Sequence, residues 1–362
     1  MRSVRLGAII VVGDESDVLT QKTARWATST ATETGVSLGA PLACIEVVGQ
    51  SAAERMIERF LNAEVEVVSV LLQAGKFRQK LRFRGSPKRV TVEVVADVES
   101  AVIEKLKDYS QNGIEHSFVV SADAYAETDL LDLFYFHRES RQTLTRTFNH
   151  DGPLPLWIAD CAKAQQYPPH LLRGESGPDA ASYFIRGYVN RLAHPRDLRR
   201  LASDILCGRC DKRPSGREIS PKVWVDESAD IHRKARIVGP AYIGCGSKVS
   251  DNVLITRLSS IERECYVDCG TVIEGSSILA NTHIGIWLDV CHAVISGNKM
   301  WSLDRDVVVE ISDPRIMRPT TSISAVYVAA RERYEAQQTV AKLHKPIQRP
   351  VLGNSALNLI QE

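Results

Sequence analysis

No block of like charge runs along this chain of 362 residues, where 45 basic and 44 acidic side chains are interspersed for a formal net charge of +1. A surface that tracks a nucleic-acid backbone needs such a block, so nucleic-acid binding gets no support. Long hydrophobic runs are missing as well. The apolar run nearest the start, Leu6 to Val12, is shorter than a signal-peptide core with its flanks and ends at once in Gly13-Asp14-Glu15. It predicts a buried strand in a cytoplasmic protein with no membrane partner. Cysteine is sparse: eight residues scattered over this length do not make the dense framework of a secreted disulfide scaffold, and most are expected as reduced, buried thiols. Cys207-Gly208-Arg209-Cys210 has metal-ligand spacing, but no second C-x-x-C completes a tetrahedral zinc site. The pair reads either as part of such a site or as a helix end with Gly208 in the cap and both sulfurs part-buried.

What is present supports two domains of ordinary size, with 44% apolar and 25% charged residues. The strongest signal is a period of six. Ile219, Val225, Ile231, Ile237, Ile243, Val249, Ile255, Ile261, Val267, Ile273 and Leu279 are all aliphatic, and the residue four further on is mostly small or β-branched. Neither a helix nor simple strand alternation has that period. A three-sided parallel β-helix does, with the aliphatic in a stacked core and the small residue at a corner. The register then puts Ile243, Ile261 and Leu279 in one column, with Arg263 on the outward side. Cys265 and Cys269 fall inside the repeat as packing residues.

After Leu279 the pattern slips, because the next aliphatic, Ile284, comes one residue early. Val307 to Ile311, followed by Asp313-Pro314, is expected to cap the stack. From Ile323 to about Leu343 the chain has neither Gly nor Pro, which predicts a helix. The expected organisation is an α/β domain over 1–205, a linker over 206–218, the β-helix over 219–311, and a C-terminal helix and tail over 312–362. His283 and His292 read either as an acyltransferase base on a coil or as ordinary surface histidines.

In the first half, helical spacing from Ala53 to Ala63 separates Leu6–Val12 from the apolar strands Val65 to Leu72 and Phe118 to Val120. That alternation predicts a mostly parallel, Rossmann-like sheet. Ligands of such sheets sit at the carboxyl ends of the strands, so the loops after Val12 and Val120 are the places to look for chemistry.

Those loops resemble the sugar-1-phosphate nucleotidyltransferases, the nucleotide-sugar pyrophosphorylase family. Phe118-Val119-Val120-Ser121-Ala122-Asp123, Asp129-Leu130-Leu131-Asp132-Leu133 and Phe136-His137-Arg138-Glu139 look like the family's strand ending in Gly-Asp and its D-L-x-x-L-x-x-F-H-R-E helix. Gly39-Ala40-Pro41-Leu42 through Val48-Gly49-Gln50-Ser51 resembles K-P-L-x-P-V-x-G-x-P-L. Gly187-Tyr188-Val189-Asn190-Arg191-Leu192-Ala193-His194-Pro195 resembles G-Y-W-x-D-I-G-T-P. The resemblance implies that Asp123 binds magnesium bridging the nucleotide phosphates, with capping of the following turn as the structural alternative. It also implies that Gly13, Gly39, Pro41, Gly49, Gly187 and Asn190 are nucleotide- or sugar-binding candidates. The C-terminal half is then a left-handed β-helix, as in several members of the family.

Several family features are replaced. Where the family has G-G-x-G-T-R-L, this chain reads Val12-Gly13-Asp14-Glu15-Ser16-Asp17-Val18-Leu19. Three carboxylates stand where a triphosphate would lie, and two unit charges 4 Å apart repel by about 4 kcal/mol at a surface-like dielectric. The family lysine aligns with Ala40, the second metal aspartate aligns with Arg191 or Asn190, and the E-K-P sugar stretch is missing between Phe148 and Ala164. The expectation is a catalytically impaired regulatory or scaffolding homologue in nucleotide-sugar metabolism. It would bind a nucleotide sugar or sugar phosphate and assemble, as a homo-oligomer or with an active nucleotidyltransferase subunit, through its C-terminal half. The alternatives are an active magnesium-dependent pyrophosphorylase and, more remotely, a hexapeptide-repeat acyltransferase.

Overall fold

The computed structural model describes residues 4–13, 40–74, 89–167 and 180–320. Strand β1 (Leu6–Val12) is buried along its whole length, which is why it reads as an unbroken apolar run. A short hairpin of Glu46–Val47 and Gln50–Ser51 leads into helix α1 (Ala52–Asn62), which Ser51 and Glu54 start with a reciprocal capping box. Strands β2 (Val67–Gln73) and β3 (Val90–Val95) follow, then α2 (Val98–Gln111), capped by Asp97. Next come β4 (His116–Ser121), the short β5 (Ala124–Ala126) and α3 (Leu130–Ser140), whose first amides are capped by Asp129. Strands β6 (Leu144–Asn149) and β7 (Gly152–Asp160) form a hairpin, followed by β8 (Ala180–Phe184), β9 (Val189–Arg191) and α4 (Pro195–Cys207).

The main sheet runs β8-β6-β7-β4-β1-β2-β3. It is mostly parallel. The pairs around β1, together with β2–β3 and β8–β6, are parallel, whereas β7 runs antiparallel to both β4 and β6. β5 and β9 form a separate antiparallel pair beyond the end of β4. α4 ends at Gly208, which takes a left-handed conformation with φ of 74°, as the cap reading of the C-x-x-C segment expects. Cys210 is buried, Cys207 is half-buried, and neither joins a metal-capable cluster among the described residues.

The second half is strand-rich and winds through three sheets in turn, with parallel partners 18 residues apart over its first coils. Ile237, Ile255 and Ile273 align in one sheet and Val225, Ile243 and Ile261 in another, and the last five of these six have a core position as the period of six predicts. Two details of that register are corrected. Ile219 lies on the antiparallel strand Arg217–Ser220 that closes the near end, and it is 57% exposed. The slip comes one step earlier than expected: Ile278, five residues after Ile273, pairs with Ile261 and then Ile295. Leu279 is buried too, but in the core that the coil shares with the first half. Two adjacent apolar residues face two different cores, and a period alone does not tell them apart.

The far end is closed by antiparallel strands Lys299–Ser302 and Val307–Glu310, close to the expected cap, and by Met317–Pro319. The helix expected from Ile323 lies outside the described residues. Residues 4–320 belong to one compact unit, and a single apolar cluster joins Leu198, Leu201 and Ile205 of α4 to Tyr242, Leu279, Val294 and Trp301. No described helix is long and apolar enough to cross a membrane.

Candidate functional site

β1 and β4 are parallel neighbours, so their carboxyl ends open on the same edge of the sheet. Gly13 follows one and Asp123 the other, and Ala122 N–H donates to Val11 O at 2.8 Å. Asp123 is open to solvent, and its Oδ2 accepts from Ser121 Oγ at 2.7 Å. Crowding by protein raises the carboxyl's pKa, and the Ser121 hydroxyl opposes that shift. The crowding does not seal the group from water.

Beyond Asp123 the chain enters β5, whose register against β9 places Asn190 and Arg191. Arg191 pairs with Ala124 and Asn190 with Tyr125, while Leu192 N–H donates to Asp123 O at 2.9 Å. Side chains alternate along a strand, so Asn190 turns into the core, where it is 1% exposed. Its Nδ2 donates to Tyr188 Oη at 3.2 Å and Asp197 O at 3.1 Å. Arg191 takes the opposite side and is held by Asp151 O and Pro153 O at 3.3 and 3.4 Å. Of the two residues in line for the second metal ligand, then, one is an arginine and the other a buried amide, and both are committed elsewhere. Magnesium takes one or two carboxylates plus substrate phosphates, and neither Asn190 nor Arg191 adds a second carboxylate to Asp123.

A small hollow in this region is lined by Met56, Phe60, Val120, Ala124 and Leu154. The charged side chain in its wall, Arg59, is committed to Thr128 O at 2.6 Å and Asp211 at 3.2 Å. Pro41 opens a single helical turn, its carbonyl accepting from Cys44 N–H at 2.8 Å. Gly187 stands where a Cβ would come within 1.8 Å of Glu127 O, so glycine is needed there for two loops to meet. Gly39 and the loop Asp14 to Leu19 lie outside the described residues.

Gly49 is placed at the junction with the coil. Val48 and Gly49 both have left-handed backbones, with φ of 53° and 83°, so their N–H groups point the same way, as in an anion nest. The chain's own Glu262 fills that nest, accepting at 2.8 and 3.0 Å. Arg55, 1% exposed, donates to Val47 O at 2.9 Å from the other side. Arg263, expected on an outward face, instead pairs with Glu46 at 2.5 Å with both side chains largely buried.

Neither coil histidine is an open base paired with a groove. His283 is buried, stacked on Tyr266 at 5.0 Å and 3.1 Å from Asp268, so the surface reading fails for it. His292 is exposed and pairs with Asp304 at 3.0 Å. The sequence reading missed one cluster at the opposite edge of the sheet. His116, His137 and Asp160 bring two imidazoles and a carboxylate within 4.8 Å of one another. His137 lies in the F-H-R-E segment, but its partners come from two separate strands.

No protein-family model matches the chain. Over 114 residues it is 29% identical to a glucose-1-phosphate thymidylyltransferase of Streptomyces griseus, a match that covers 30% of this chain. The matched stretch is 31% of that protein's length, under a third. The likeness supports a nucleotidyltransferase relationship and nothing narrower.

Proposed function

We propose that the protein is a sugar-1-phosphate nucleotidyltransferase homologue whose centre no longer sustains efficient transfer, and that it binds a nucleotide sugar or sugar phosphate to regulate or scaffold an active subunit. The carrying observation is the β5–β9 register, which pairs Arg191 with Ala124 and Asn190 with Tyr125, so that the positions aligned with the family's second metal aspartate bring no carboxylate to Asp123. Phosphoryl transfer rests on positioning and charge neutralisation, so a metal site reduced to one carboxylate loses most of its rate. The partial likeness to a thymidylyltransferase supports the substrate class.

In this reading the ligand enters at the Gly13 and Asp123 edge of the sheet. Gly49, Gly187 and Asn190 hold the surrounding backbone, as their contacts favour. Magnesium contributes little. The coil is a left-handed β-helix of hexapeptide repeats used for assembly in the cytoplasm, and light scattering on the full chain is expected to show an oligomer.

A thermal-shift panel of nucleotide sugars tests the binding step. A ligand that binds only the folded chain adds about 2.7 kcal/mol at 100 times its dissociation constant. At least one nucleotide sugar should raise the melting temperature, with or without magnesium. A panel without any shift contradicts the proposal.

A further inference from the structure

The geometry points to a second site, for a divalent transition metal of the zinc class, built from His116 Nδ1, His137 Nε2 and Asp160 Oδ1 on the sheet edge away from Asp123. His116 begins β4 and Asp123 follows its end, so the strand's six residues, at roughly 3.3 Å each, put about 20 Å between the two edges. Nothing in the proposed nucleotide site bears on this one.

Three elements deliver the ligands. The antiparallel register of β4 and β7 pairs His116 directly with Asp160. α3 adds His137 from its buried stripe of Leu130, Leu133, Phe134 and His137. Asp160 Oδ1 then lies 2.6 Å from His116 Nδ1 and 3.2 Å from His137 Nε2. These donor atoms lie within 4.8 Å of one another.

Two features favour a shared cation over shared protons. Despite its closeness to Asp160, the buried His116 Nδ1 makes no properly directed hydrogen bond. His137 Nδ1 lies 2.8 Å from Thr145 Oγ1, and that contact orients the ring with Nε2 towards the cluster, as an outer-shell partner does for a metal-bound histidine. Two imidazoles and one carboxylate suit zinc and its neighbours, whereas magnesium prefers an all-oxygen set. Ligand atoms around a tetrahedral zinc stand about 3.3 Å apart. The His137 contact already fits, and the Asp160 carboxylate has to withdraw slightly from His116. The side chains of His116 and Asp160 are 18% and 28% exposed, which leaves a way in for the ion and a water as fourth ligand.

The test uses the full chain, stripped with a chelator and titrated with cobalt(II) and zinc(II). The expected result is one equivalent bound, with the visible absorption of four-coordinate cobalt and displacement by zinc. His116→Gln and Asp160→Asn, both at partly exposed positions, should each weaken cobalt binding at least tenfold. The near-isosteric Thr145→Val should weaken it by about 10- to 100-fold, and Asp123→Asn should leave it unchanged. Circular dichroism confirms that each variant is folded. Absence of the cobalt band in the wild-type chain overturns the inference, as does unchanged binding in folded His116→Gln and Asp160→Asn.

Discussion

The carboxylate of Glu262 accepts the N–H of Val48 at 2.8 Å, joining the coil to the loop before α1 across 214 residues of sequence. Glu262 is 1% exposed and has Glu46 nearby, and burial first and that charge second push its pKa from 4.5 up to about 8. The two backbone N–H groups and Ser260 oppose the shift without cancelling it.

A buried acid with a raised pKa holds its proton in the folded chain after the unfolded chain has released it. The folded state binds more protons between the two values, so the contribution of Glu262 to stability is full below about pH 4.5 and is lost as pH rises towards 8. The loss is on the order of a few kcal/mol. Urea melts of wild type and Glu262→Gln across pH 5 to 8.5 check this. The slope should be shallower in the variant, which keeps a neutral acceptor, and identical slopes would refute the assignment.

The coil register makes a second set of outcomes. Ile261→Ala and Ile278→Ala each remove a fully buried side chain from one column and should cost about 2–5 kcal/mol. Ile219→Ala, at an exposed position, should change stability by less than about 0.5 kcal/mol. Arg263→Ala removes a largely buried ion pair with Glu46 and should cost clearly more than Ile219→Ala. Chemical denaturation measures all four, and a neutral Ile278→Ala would return the column to the unslipped register.

Much of this was legible in the sequence. β1 showed as an apolar run because both its faces are buried, and α1 and α4 were marked by helical spacing and by Gly208. The period of six gave the coil. It could not give Glu262, because such a pattern treats the residue after each aliphatic as outward and says nothing of another part of the chain packing on that face. The His116–Asp160 pair was equally hidden, since the register of β4 against β7 sets it and no spacing along the chain encodes that. Asn190 and Arg191 were read as alternatives for one role, and strand alternation sends them to opposite sides.

Gly187 gives a third prediction. A methyl group there would meet Glu127 O at 1.8 Å, and backbone cannot yield as a side chain tip does. Gly187→Ala should destabilise by about 1–3 kcal/mol or more, and it should disturb the β5–β9 pair, which follows Asp123 and carries Arg191. Melting temperature, together with nucleotide-sugar binding, checks both effects. A fully stable variant would contradict the close approach.

Pyrophosphate release from each common nucleoside triphosphate with glucose-1-phosphate or mannose-1-phosphate, in excess magnesium, tests the loss of transfer most directly. The full chain should show no turnover above background, and Asp123→Ala should not lower that level further. Turnover of a few per second or more, abolished by Asp123→Ala, would contradict it and show a working transferase with Arg191 and Asn190 in place of a second carboxylate.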